Sequence, residues 1–182
     1  MDRRSIIKYA AALTGMSILS PLSVEVLASN DVNTNKPQFF SQPDFQLLTS
    51  VLDTILPKTD TPSACDVNVH YIMDNMLSRV FNTNYQVTFM KRFTSLKSYL
   101  MQKDFLLLNA NQKLTVIQAL ENEKRKGNEL FYLGYIDLKQ QGVSYYLSTE
   151  EVAENHLNYL PVPGKYIPSK SVKALNGKAW AE

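Results

Sequence analysis

Apolar residues recur along most of this chain at intervals of three and four, and nowhere in a clear run of alternation. That regularity favours packed helices over sheets, because a helix turns once in about 3.6 residues while a strand flips its side chains at every residue. The clearest stretch is Val69, Ile72, Met73, Met76, Leu77 and Val80, one apolar face of an amphipathic helix with Asp66 placed to cap it. Upstream, Ser41-Gln42-Pro43-Asp44 reads as a helix start, with Ser41 as N-cap and an acid three residues on. Phe45, Leu48, Leu52 and Ile55 follow at helical spacing until Pro57 stops them. The segment 82–84, with two asparagines, breaks the second helix. A third, at about 85–102, aligns Phe89, Phe93, Leu96 and Leu100.

Residues 105–108 form a short apolar connection. Asn109 or Asn111 caps a fourth helix with Leu114, Ile117 and Leu120 inward. Lys124-Arg125-Lys126 and Gly127 end it, the cations offsetting the helix dipole. A fifth run, 128–141, carries Leu130, Phe131, Leu133 and Tyr135, and Gly142 closes it. Ser148-Thr149-Glu150-Glu151 has capping-box character and opens a short helix to about Leu157.

Two segments cannot be helix. Residues 57–64 hold two prolines with alternating Asp and Thr, a tight loop whose side chains bond to backbone turns. Residues 160–168 hold three prolines and Gly164, which force an extended, irregular path, and the tail to Glu182 stays irregular. The expectation is a single all-α domain over 41–182, with five or six helices and a Pro-rich C-terminal arm. A polar linker, 29–40, precedes it.

The N-terminus has another style. Asp2-Arg3-Arg4-Ser5-Ile6-Ile7-Lys8 gives an arginine pair, a spacer, two apolar residues and a lysine. No charge follows until Glu25, and Val26-Leu27-Ala28 offers small or modest residues at the −3 and −1 positions of a signal-peptidase site. This is the order of an export signal. A spanning helix needs about 20 apolar residues. The stretch here is shorter, diluted by Thr14, Gly15, Ser17 and Ser20, and it ends at Pro21. Residues 1–28 therefore read as a twin-arginine signal, with Arg3, Arg4 and Lys8 recognised by the translocase and cleavage after Ala28. The competing readings are an ordinary secretory signal or an uncleaved anchor. Twin-arginine export moves proteins already folded, which often carry a cofactor or a partner that does. The expected location is the periplasm.

The remaining sequence excludes several function classes. The signal holds Arg3, Arg4 and Lys8 against Asp2 and Glu25, a net +1, leaving +1 of the chain's +2 for the rest. That balance gives no footprint for nucleic acid. Cys65 is the only cysteine, so no internal disulfide forms, and a buried free thiol fits better than a reactive one. His70 and His156 lie far apart, and neither has a metal-ligand spacing with Cys65. No haem-attachment, dinucleotide, P-loop or nucleophile-elbow motif is present. Asp66, His70 and Asp74 share a helix edge, the pattern of a solvated face; with Asp60 they could supply acid–base groups to an independent exported enzyme, but no nucleophile or metal set joins them.

Ile55-Leu56-Pro57-Lys58-Thr59-Asp60-Thr61-Pro62-Ser63-Ala64 resembles the I-L/I-P-x-T-D-T-P-G-A signature of the gluconate 2-dehydrogenase subunit 3 family, with Ser63 where Gly is usual. Val69-His70-Tyr71-Ile72-Met73-Asp74 matches the helix that follows it. Leu157-Asn158-Tyr159-Leu160-Pro161-Val162-Pro163-Gly164-Lys165-Tyr166 resembles the family's L-x-Y-x-P-V-P-G-x-Y segment. Tyr145-Tyr146-Leu147-Ser148-Thr149-Glu150 and Gly177-Lys178-Ala179-Trp180-Ala181 are looser matches. Ser169 stands where many relatives have a cysteine, so a disulfide tether of the arm is absent.

The resemblance implies a small non-catalytic subunit with no cofactor of its own. Relatives accompany a large FAD-containing dehydrogenase of the glucose-methanol-choline class, often with a multihaem cytochrome c subunit, and the complex is membrane-associated. The small subunit's signal would carry the folded, FAD-loaded pair across the membrane. The surfaces it points to are the loop at Pro57, Thr59, Asp60, Thr61 and Pro62, and the arm at Tyr159, Pro161, Val162, Pro163, Gly164 and Tyr166. Each has an intramolecular alternative: the loop packs the first helix against the second, and the arm covers the core. Tyr145, Tyr146, Tyr159 and Tyr166 read equally as interface anchors and as ordinary half-buried tyrosines. A free-standing exported binding or scaffold protein with the same fold is the alternative function.

Overall fold

Six α-helices and two 3-10 turns, with no strand among the described residues, make up the computed structural model, which describes residues 36–122, 129–160, 164 and 169–180. In chain order the helices are α1 (Gln42–Ile55), α2 (Val69–Arg79), α3 (Thr83–Met101), α4 (Ala110–Asn122), α5 (Leu130–Leu147) and α6 (Glu150–His156). One 3-10 turn, Phe105–Leu107, joins α3 to α4, and the other, Val172–Leu175, lies in the tail. The expected all-α class holds. Pro37 onward forms one unit; of the unit before it, only Lys36 is described.

Local chemistry fixes the helix starts. Ser41 caps α1, its hydroxyl accepting from the Asp44 amide at 3.4 Å and donating to the Asp44 carboxylate at 2.7 Å. Lys97 then reaches the same carboxylate at 2.7 Å and ties α1 to α3. Burial raises the Asp44 pKa, but the bonds from Lys97 and Ser41 outweigh it and hold the group below the usual range. Asn82 caps α3 through the Tyr85 amide at 2.9 Å. Asn109, the first of the two candidates, caps α4: it and Gln112 exchange side-chain-to-amide bonds, both at 3.0 Å.

Several expectations fail for identifiable reasons. Asp66 does not cap α2. Ser63 and Asp66 instead form a reciprocal pair one turn earlier, amide to carboxylate at 3.1 Å and amide to hydroxyl at 3.2 Å. Asn68, at φ 58, then turns the chain into α2. Thr149 precedes α6, but its hydroxyl donates back to the Tyr146 carbonyl at 2.8 Å, so the capping box does not form. Val80 and Leu114, read as inward, are 63% and 43% exposed. Gly142 does not end α5, which runs on to Leu147. The Lys124-Arg125-Lys126 cluster and Gly127 lie outside the described residues.

The core is organised on α3 and α5, the most extensive helix pair. Phe89, Phe93, Leu96 and Leu100 of α3 are fully buried, as are Tyr135 and Leu138 of α5. Gly134 lets the backbones approach: a Cβ there would lie 2.5 Å from the Arg92 carbonyl oxygen. Arg92 pairs with Asp137 across the same seam at 2.9 Å. Tyr99 and Phe131 stack at 4.6 Å further along. Phe40, in the stretch expected as linker, is buried, and its ring meets Phe93 at 5.1 Å, so the packed body begins before residue 41.

Candidate functional site

The loop 57–64 is held from inside. The Ala64 amide bonds the Leu56 carbonyl at 3.0 Å, closing the turn, and the Tyr146 hydroxyl of α5 donates to the Pro62 carbonyl at 2.7 Å. Thr59 and Thr61 brace the tip: amide to carbonyl at 3.0 Å, amide to hydroxyl at 3.4 Å, and hydroxyl to hydroxyl at 3.2 Å. The side-chain-to-turn bonding expected of Thr59 and Thr61 is thus present. Ser63, where the family usually has Gly, makes the pair with Asp66 described above. Lys58 faces Asp66 at 3.2 Å, but both side chains are open to water and the pair adds little. The loop therefore divides. Its inner half, around Pro62 and Ser63, packs α1 against α2 and α5; its outer half, Pro57 to Asp60, is exposed. Tyr146→Phe is expected to lower unfolding free energy by about 1 kcal/mol through loss of one hydrogen bond. Urea denaturation of the mature domain measures it; an unchanged midpoint would mean the loop needs no anchor from α5.

The helix edge of Asp66, His70 and Asp74 is not the solvated face its pattern suggests. Asp66 is exposed, but His70 is 8% and Asp74 2% exposed. Asp74 accepts three backbone amides, from Gln38 at 2.6 Å and from Phe39 and Phe40 at 3.0 Å each. The sequence hides this, because the donors are main-chain groups about 35 residues upstream. His70 lies against Phe45 at 5.3 Å and Tyr71 at 4.5 Å. Burial lowers its pKa, more than the nearby Asp53 carboxylate raises it. A groove of about 460 Å³ runs along α1 in front of it, lined by Gln42, Gln46, Thr49, Asp53 and Phe45, with Cys65, His70 and Lys113 opposite.

Cys65 in that groove is free and half-buried. Burial, then the Asp53 charge and a hydrogen bond to Asp53, push its thiol up to about 12. A nucleophilic cysteine needs the reverse shift. Among the described residues no group of three or more His, Cys, Asp or Glu side chains is placed to hold a metal ion, and no helix is long and apolar enough to cross a membrane.

The arm folds back on the domain. The Asn158 amide bonds the Ala179 carbonyl at 2.7 Å, giving an isolated parallel bridge between Asn158 and Trp180. Lys178 Nζ donates to the Asn155 carbonyl at 2.7 Å. This return pins an outward-facing group: Tyr159, Leu160 and Trp180 are 48%, 50% and 43% exposed, and Lys170 lies over the Trp180 ring at 5.6 Å. Gly164 is exposed at φ +63, a left-handed conformation that favours glycine.

Of the four tyrosines, Tyr146 is buried and Tyr145 is half-buried, its hydroxyl donating to Gln141 at 3.3 Å, so both serve internal packing; Tyr159 is open. Pro161, Val162, Pro163 and Tyr166 lie outside the described residues, as do Arg3, Arg4, Lys8 and Ala28. The loop is tied to α5 through Tyr146, and the described tail is tied to α6 through Asn155. The groove residues Asp53 and Lys113 and the returning Trp180 were not singled out by spacing, since each pairing spans distant parts of the chain.

A family model described as gluconate 2-dehydrogenase subunit 3 matches residues 42–164. Neither a curated protein nor a solved structure matches the chain.

Proposed function

The chain belongs to the gluconate 2-dehydrogenase subunit 3 family, and from that premise we propose that it is the non-catalytic small subunit of an exported FAD-dependent sugar or sugar-acid dehydrogenase. Hydride transfer to flavin belongs to the large partner subunit. The twin-arginine signal of this chain carries the folded pair to the periplasm, where a cytochrome c subunit takes up the electrons at the membrane. The family match carries the reading, because it covers both the Pro-Lys-Thr-Asp-Thr-Pro loop and the arm through Gly164. Two features of the chain support it. Its one thiol is held protonated rather than activated, and Tyr159, Leu160 and Trp180, held by the bridge between Asn158 and Trp180, face outward instead of into the core. Aromatic side chains already fixed in place lose little entropy on docking, which suits a subunit interface.

Replacing Arg3-Arg4 with Lys-Lys is expected to leave both this chain and its flavoprotein partner in the cytoplasm. Cell fractionation followed by a dye-linked sugar oxidation assay measures it. A partner that still reaches the periplasm would refute the escort role.

A further inference from the structure

The side-chain polar atoms buried without a partner among the described residues, Ser50 Oγ and His70 Nδ1, both belong to residues lining the groove along α1. Folded proteins keep few such atoms, because each gives up water without replacing it. Two on one groove point to an occupant that completes them. The groove also holds one carboxylate and one ammonium, Asp53 and Lys113, neither in an ion pair among the described residues. Lys113 instead lies 5.7 Å from the Phe105 ring centre. Gln42, Gln46, Thr49 and Asp53 follow one stripe of α1. At the helical rise that stripe is about 16 Å long, the span of about five extended residues.

We propose that this groove seats an extended segment of the partner oxidoreductase subunit, with a basic side chain set against Asp53 and an acidic one against Lys113. The proposal rests on the accessory-subunit reading above. An extended segment presents amide N–H and C=O groups alternately; the carboxamides of Gln42 and Gln46 can each donate and accept, and the Thr49 hydroxyl, which donates to the Phe45 carbonyl at 2.8 Å, can accept. A rotation of Ser50 about χ1 and a half-turn of the His70 ring present the two orphaned atoms to the same segment. Burial keeps His70 neutral, so it meets the segment as a hydrogen-bonding group without adding charge.

The test uses the complex purified from the native host through a tag on this chain. Asp53→Lys and Lys113→Glu are each expected to reduce the co-purified partner by roughly tenfold, as loss of one opposed charge pair predicts. The thermal midpoint of the isolated mature chain should fall by about 4 °C at most, since Asp53 gives up one hydrogen bond to the Cys65 thiol and Lys113 one contact over the Phe105 ring. Carbodiimide labelling of Asp53 should fall sharply in the complex relative to the isolated chain. Undiminished co-purification with both variants, or equal labelling of Asp53 in both forms, overturns the groove assignment and leaves the accessory-subunit reading standing. If no partner accompanies the unaltered chain, both fall. A small molecule found on the isolated chain by native mass spectrometry, and lost in either variant, overturns the proposal in favour of a ligand site.

Discussion

Gly134→Ala is expected to lower the stability of the domain by about 2–3 kcal/mol, although alanine is the better helix former by about 1 kcal/mol. The new Cβ would meet the Arg92 carbonyl oxygen at 2.5 Å and its carbon at 2.9 Å. Both are main-chain atoms inside α3, so no rotamer change relieves the contact. The two helices must separate along the seam that organises the core. Arg92 and Asp137, paired within one turn of Gly134, are pushed apart as well. Gly142→Ala is the matched comparison. Its Cβ would lie 2.6 Å from Leu52 Cδ2, the end of a flexible side chain that can turn away. That change is expected to lower stability by about 1 kcal/mol or less, after the gain in helix propensity. Thermal unfolding of the mature domain, followed by far-ultraviolet circular dichroism, separates the two. The midpoint should fall by roughly 5–10 °C for Gly134→Ala and by a few degrees at most for Gly142→Ala. If the two variants melt together, the close approach of α3 and α5 is not what Gly134 supports.

Gly142 also shows where reading by sequence runs out. A glycine after an apolar periodic run is a sound local stop signal, because glycine enters left-handed turns without strain. In this chain the same residue leaves room for Leu52, so the helix continues. Nothing within α5 distinguishes the two uses; the deciding atom is some ninety residues away. The same holds for polar residues on helix edges. Asp74 looks solvated by its spacing with Asp66 and His70, yet three amides from residues 38–40 cover it. Conversely, Val80, just past the end of α2, and Leu114, in the second turn of α4, obey the apolar period and still face water. Local rules located the helices, the cap at Ser41, Asn109 as one of two candidates for the cap of α4, and the irregular loop; they gave Asn82 only as a helix break, and they missed the 3-10 turn and the bridge in the tail. They could not reveal which helix faces meet. For that reason the groove, built from Asp53 of α1, Cys65 between α1 and α2, His70 of α2 and Lys113 of α4, was invisible until the chain was folded.

Asp74→Ala is expected to be the most damaging polar substitution in the domain, at about 3–4 kcal/mol. The carboxylate is the sole acceptor shown for the Gln38, Phe39 and Phe40 amides, and the Phe40 bond is buried. Each hydrogen bond to a charged group contributes about 1.5–3 kcal/mol, but the sum is discounted because water can reach the Gln38 and Phe39 amides once the acceptor is gone. The loss does not stop at hydrogen bonds. Those residues deliver Phe39 and Phe40 to the aromatic cluster, where their rings meet at 5.1 Å and each lies near Phe89, at 6.4 and 6.1 Å. Releasing the backbone frees the rings, so Asp74 anchors the segment that joins the expected signal peptide to the packed body. Asp74→Asn keeps the shape and one acceptor oxygen but turns an N–H toward the same donors, and should lose about half as much. Denaturant unfolding gives the magnitudes, and amide hydrogen exchange gives the cause. Exchange at Phe39 and Phe40 should accelerate in Asp74→Ala well beyond the change in global stability. If it tracks global unfolding alone, the three amides find other acceptors and the carboxylate is not what holds them.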